Sequence, residues 1–92
     1  MDMRQLGYFV AVFEQGSISA AARHLDVAQP SVSAALLALE TELGVVLFIR
    51  LPRGVKATEE GERLYNQACQ ILSQLQAVQA SFKKPAKRLQ FR

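Results

Sequence analysis

The chain has 92 residues, half of them apolar, with 11 basic and eight acidic side chains and a formal net charge of +3. That suits one small domain with a modest buried core, and no apolar run is long enough for a bilayer, which argues against a membrane partner. The lone Cys69 excludes an internal disulfide framework and fits a reducing, cytoplasmic setting.

The charge is unevenly spread. Five of the 11 basic residues (Lys83, Lys84, Lys87, Arg88 and Arg92) fall in the last ten positions, leaving six basic against eight acidic groups in residues 1–82. Any nucleic-acid surface on this body has to be a local basic edge aided by helix termini, since a global positive field is absent. The first 16 residues lack a basic start and a small-residue cleavage site, so they do not read as a signal peptide.

Leu6, Phe9, Val10 and Phe13 recur at helical spacing and predict a first helix over roughly residues 3–15. Gly16 ends it, and Ser17 is placed to cap the next helix by accepting an orphan backbone N–H. That second helix, about 18–25, is short and alanine-rich; Ala22 allows a close helix crossing, and Asp26 can stop the helix by bonding its own backbone. A third helix opens at Gln29–Pro30, where proline's missing N–H costs nothing. Its expected core stripe is Val32, Leu36, Leu39 and Leu43, with Gly44 closing it. Two helices joined by a tight turn of this kind form a helix-turn-helix, whose second helix can lie in a DNA major groove.

The period then changes. VVLFI (45–49) and VKA (55–57) flank LPRG and predict a small β-hairpin, a wing. Thr58 caps a long last helix, with Glu59, Glu60 and Glu62 in the first turn where the dipole favours them. Gly61, Ala68, Leu75 and Phe82 recur every seven residues, as do Leu64, Ile71 and Val78. Tyr65 and Leu72 widen this seam, and no charged residue interrupts it from Leu64 to Phe82. Such a helix at the edge of a small domain needs a partner, and a second copy of itself is the expected one. The candidate dimer residues are Leu64, Ala68, Ile71, Leu72, Leu75, Val78 and Phe82. The tail KKPAKRLQFR reads as a linker; Pro85 stops the helix, and Leu89-Gln90-Phe91 alternates like the start of a strand in a further domain.

The fold class expected is therefore mainly α. A winged helix-turn-helix, three helices plus a hairpin, occupies residues 1–57, a linker helix 58–82, and a hinge or tail 83–92.

Six fragments in order carry a family resemblance. They are L-x-x-F at Leu6–Phe9, S-x-S-x-A-A-x-x-L at Ser17–Leu25 and A-Q-P-S-V-S at Ala28–Ser33. L-x-x-L-E-x-x-L-G at Leu36–Gly44, L-F-x-R at Leu47–Arg50 and R-G-V-x-x-T-x-x-G at Arg53–Gly61 complete the set. From about Met3 to Phe82 the chain resembles the N-terminal DNA-binding domain of LysR-type transcriptional regulators. The resemblance implies a homodimer on an interrupted inverted repeat of double-stranded DNA, with linker helices paired antiparallel. It also implies a small-molecule effector held by a C-terminal domain outside this chain, hence no cofactor here, and higher oligomers and RNA polymerase as further partners. The seam itself leaves the pairing orientation open.

Gln29, Pro30, Ser31 and Ser33 open the third helix, the end that meets base edges. Gln29 can bond adenine bidentately, serines can serve base or phosphate, and the first-turn N–H groups suit phosphate. The plain alternative is that Gln29 and Ser31 merely cap the helix. Ala34 departs from the family pattern, which often has arginine or another long polar residue there. A bidentate guanine contact from this helix is thereby lost, about 1–3 kcal/mol of discrimination. Ala34, Ala35, Leu37 and Ala38 make the helix unusually apolar. Leu37 can meet thymine methyls or be an inconsequential surface leucine; both readings stand.

Arg53 at the wing tip is placed to enter a narrow minor groove. Arg50 can hold a phosphate or an acidic partner at the core edge, and Lys56 is a solvated edge residue or a phosphate contact; Arg4 and Arg23 are weaker candidates. His24 has no second ligand at metal spacing, Cys69 no neighbouring base, and the three glutamates no acid–base geometry. No catalytic site is expected. The alternative function is a winged-helix interaction module without DNA binding.

Overall fold

The structure is a computed structural model and describes residues 1–83. The element order is α1 (Met3–Gln15), α2 (Ile18–Leu25), α3 (Gln29–Leu43), β1 (Phe48–Arg50), β2 (Val55–Ala57) and α4 (Glu59–Phe82). The expected tail features at Pro85 and at residues 89–91 lie outside the described residues.

Each helix begins on a local signal. Asp2 and Gln5 form a reciprocal capping box at α1, Ser17 accepts from the Ala20 N–H at α2, and Thr58 accepts from the Gly61 N–H at α4. The Asp2–Gln5 box went unread in the sequence, although its D-x-x-Q spacing encodes it. α3 starts without a side-chain cap at Ala28; Pro30 in its first turn removes one donor that would otherwise go unpaired.

Asp26 stops α2 differently from expectation. Its backbone turns left-handed at φ 59°, and its own N–H and that of Val27 return to the last turn of the helix. The stop is therefore a backbone conformation, one that a short polar side chain tolerates.

The core gathers the first three helices around Phe9, Val12, Val32, Leu39 and Leu47, each fully buried. Ala21 and Ala22 at the α2 crossing are buried as well, and their small side chains permit the approach of α3. Two expectations for α3 need correction. Leu43, expected in the core stripe, is exposed, and Ala35, left out of that stripe, is buried. The true stripe is Val32, Ala35, Leu36 and Leu39; by Leu43 the helix has run past the elements that would cover it.

The first strand also starts later than expected. Residues 45–47 do not pair with the hairpin. The Leu47 N–H donates to Glu40 Oε2 at 2.8 Å, that of Phe48 to the same oxygen at 3.4 Å, and the Leu47 carbonyl accepts from the Thr58 N–H at 3.0 Å. A side chain seven residues upstream has taken the donor that a longer ladder would use. β1 and β2 then pair antiparallel with Phe48 opposite Ala57, Ile49 opposite Lys56 and Arg50 opposite Val55.

The hairpin is docked on the α1–α2 turn: the Val55 N–H donates to the Gly16 carbonyl at 3.0 Å. Gly54, at φ 83°, lies so close to that carbonyl that a Cβ would overlap it.

α4 crosses α1. The Tyr65 ring stacks on Phe13 at 3.9 Å and its hydroxyl donates to Glu14 at 2.7 Å, while Phe13 and Phe9 continue the aromatic contact to Phe48. Leu64 packs against the core and Ala68 is fully buried. Beyond Ala68 the helix leaves the body, which gives the molecule its 58 Å length against 26 and 18 Å across.

Candidate nucleic-acid interface

The tight turn at Asp26–Ala28 sets the start of α3 at the surface. Gln29, Pro30 and Ser31 are exposed, Ser33 is half-buried, and Ala34, Leu37 and Ala38 are exposed. α4 packs through Gly61, Leu64, Tyr65 and Ala68 onto α1 and the Leu47 segment, so it does not seal this end.

Two shallow hollows organise the face. One, about 250 Å³, lies between α3 and β1 and is lined by Ser33, Ala34, Leu37, Phe48 and Arg50, with the Glu40 carboxylate at its margin. The other, about 200 Å³, lies between the start of α2, the start of α3 and the hairpin, with Ser17, Ser19, Gln29, Arg50 and Gly54 on its walls. Arg50 borders both. Among the described residues its guanidinium has no ion pair or hydrogen bond, so the acidic partner entertained from sequence is absent. The Glu40 carboxylate accepts the Leu47 and Phe48 N–H groups and forms no ion pair with it.

Arg53 is exposed at the hairpin tip, closed by the Leu51 N–H donating to the Gly54 carbonyl at 3.0 Å. The structure thus brings Gln29, Ser33, Ala34, Leu37 and Arg50 together, with Pro30 and Ser31 on the adjoining turn and Arg53 at the tip beyond. Arg4 lies over the Tyr8 ring at 5.3 Å, on α1 and apart from this face.

Sequence reasoning missed Ser19. It lines the second hollow with Gln29, and its hydroxyl lies 3.2 Å from that of Ser17. The signal was present as Ser-x-Ser at a helix start, where free N–H groups and hydroxyls together suit an anion.

The far surface of α4 divides in two. Of the residues expected in a dimer seam, Ala68 has no accessible surface left for a partner, and Leu64 is half-buried against the core of its own chain. Leu72 is half-buried, and Ile71, Leu75, Val78 and Phe82 are exposed at 43, 39, 56 and 69%.

Chemically, among the described residues the α2–α3–wing face offers amide and hydroxyl groups, the unpaired guanidinium groups of Arg50 and Arg53, two helix starts and an apolar line. Among the described residues no group of His, Cys, Asp or Glu could hold a metal ion, and no helix is long and apolar enough to cross a membrane.

Residues 3–62 match the family described as bacterial regulatory helix-turn-helix protein, lysR family. The chain is 49% identical over 72 residues to the HTH-type transcriptional regulator ClcR of Pseudomonas putida, covering 78% of this chain and 24% of that protein. It is 42% identical over 84 residues to the probable cat1 operon transcriptional activator of Acinetobacter lwoffii, covering 91% and 28% respectively. It therefore spans about a quarter of the length of these curated relatives. The CbnR DBD solved with DNA superposes at TM-score 0.86 and 40% identity, over 94% of this chain and 99% of that one. The BenM DBD solved with catB site 1 DNA gives 0.88 and 42%, over 94% and 96%. The shared helix-turn-helix, wing and long last helix, with identity at this level across nearly the whole fold, lead to one conclusion: the chain belongs to the LysR family of bacterial regulatory helix-turn-helix proteins.

Proposed function

We propose that this chain is the part of a transcriptional regulator that binds a specific duplex DNA site, as a dimer on an interrupted inverted repeat. The observation that carries this reading is the exposed Gln29 end of α3, flanked by the unpaired Arg50 and left open by α4. In it, Gln29, Ser31 and Ser33 meet base edges or phosphates, Pro30 and Ala34 approach closely, and Arg50 holds a phosphate. Arg53 enters the neighbouring minor groove, where the negative potential is strongest if the groove is narrow. The starts of α2 and α3 present backbone N–H groups to the phosphate backbone. Relatives solved with DNA support the reading.

Two copies pair through the outer part of α4, from Ile71 to Phe82. Effector binding and any contact with RNA polymerase belong to parts of the protein outside these residues, and the site of action is the bacterial cytoplasm.

The test is fluorescence anisotropy of labelled duplex DNA titrated with the protein at 50 and 200 mM salt. For about six phosphate contacts, affinity falls on the order of 10³-fold between the two, because bound counterions are released on association. A folded protein that binds no duplex at either salt is an interaction module instead.

A further inference from the structure

Resting on the DNA-binding reading above, we infer that α3 selects its site through thymine methyl groups, received by the apolar line of Ala34 and Leu37. At 3.6 residues per turn, Pro30, Ala34, Leu37 and Thr41 fall within about 60° of one another. They lie directly opposite the buried stripe of Val32, Ala35, Leu36 and Leu39. The outermost line of the helix therefore carries no hydrogen-bonding side chain before Thr41. Leu37 is 64% exposed, and Ala34 beside it is open to solvent.

A helix with an apolar line on its outer side as well as its inner one is ordinarily covered on both. Here the outer line has no cover within the described residues, and its surroundings indicate what covers it. Arg50 borders the same hollow with its guanidinium unpaired, Ser33 and Gln29 flank the line, and the first turn of α3 has no side-chain cap for its N–H groups. An apolar strip set between a cation and the positive end of a helix dipole complements a polyanion that displays an apolar group in its groove. In the major groove that group is the thymine C5-methyl. Cytosine offers an amino donor there instead, which Ala34 and Leu37 cannot accept, so the helix favours T·A over C·G wherever the line touches.

The size of the effect follows from the area hidden. Burying one methyl contributes about 0.8 kcal/mol, or about fourfold in affinity.

The experiment uses the 92-residue chain. Bound sites are selected from a random duplex pool, and each thymine of the selected site is then replaced singly by uracil, which deletes the methyl and keeps the pairing edge. Anisotropy titrations are expected to show about a fourfold loss at one or two thymines per half-site. Leu37→Ala, checked for its fold by circular dichroism, is expected to cut that penalty below about twofold at one of them. The inference is overturned if the selected site lacks thymine, if no uracil substitution weakens binding, or if Leu37→Ala leaves every penalty intact. Those results leave DNA binding itself standing. Failure of the unaltered chain to bind any duplex overturns the broader reading and this inference together, and gives the apolar face to a protein partner.

Discussion

Gly61 shows how one missing side chain sets the position of a whole helix. A Cβ there would overlap the Leu47 carbonyl oxygen and lie 3.5 Å from the Ala57 Cβ. In an open helix interior, alanine in place of glycine stabilises by about 1 kcal/mol. Here the colliding atom is backbone, already held by the Thr58 N–H and hydroxyl at 3.0 and 3.2 Å, so it cannot move aside cheaply. Gly61→Ala is expected to destabilise by about 1–3 kcal/mol, read as a lower Tm in a thermal melt.

Tyr65 gives a pH signature at the same scale. Its hydrogen bond to Glu14, then its contact with Cys69, hold the phenol proton and push its pKa well above the ordinary 10.0. A raised pKa means that this contribution is complete below the unfolded value and lost as pH rises past it. The wild-type Tm is expected to fall more steeply above pH 10 than that of Tyr65→Phe, whose ring keeps the stacking but has no proton to lose. Parallel curves in a melt series from pH 8 to 11 would remove the group from the account.

Single residues with local partners were legible in the sequence: Ser17 and Thr58 as caps, Gly16 and Gly44 as stops. Glu40 was not, because its partners are backbone N–H groups brought near only by the turn at Gly44.

At the scale of elements, the heptad spacing of α4 was legible, but its occupant was not. A seven-residue apolar repeat reports that a face is covered without reporting by what. The first half of the seam, through Leu64 and Ala68, is covered by α1 and the core of the same chain. The exposed second half is the face assigned to a second copy. Substitutions should separate the two. Leu75→Glu with Val78→Glu is expected to leave Tm nearly unchanged at low protein concentration and to yield a monomer in sedimentation equilibrium. Leu64→Ala is expected to lower Tm by the loss of half-buried apolar area, about 1–2 kcal/mol, with the association state retained. Monomerisation by Leu64→Ala alone would reverse the assignment.

The wing illustrates the opposite limit. Its turn chemistry announced a hairpin, whereas the start of β1 depended on Glu40 and Thr58, which share no local pattern with it.

Across the whole molecule, the body that holds the core carries more acid than base, so binding of a polyanion depends on where the few cations stand. Arg50 and Arg53 sit on the side of the wing that faces α3 and at its tip, while Glu14 is engaged by Tyr65 and Glu40 by backbone. α4 packs on the body through Gly61, Leu64, Tyr65 and Ala68, so its outer half stays exposed for a second copy while the start of α3 stays open. The most direct measurement is site-specific cross-linking, with a photoreactive residue in place of Gln29 and, as the control, in place of Gln74 on α4. Irradiation with the selected duplex should join the protein at position 29 to bases in the major groove and leave position 74 unlinked. Cross-links from position 74 alone, or from position 29 to protein but never to DNA, would contradict the account.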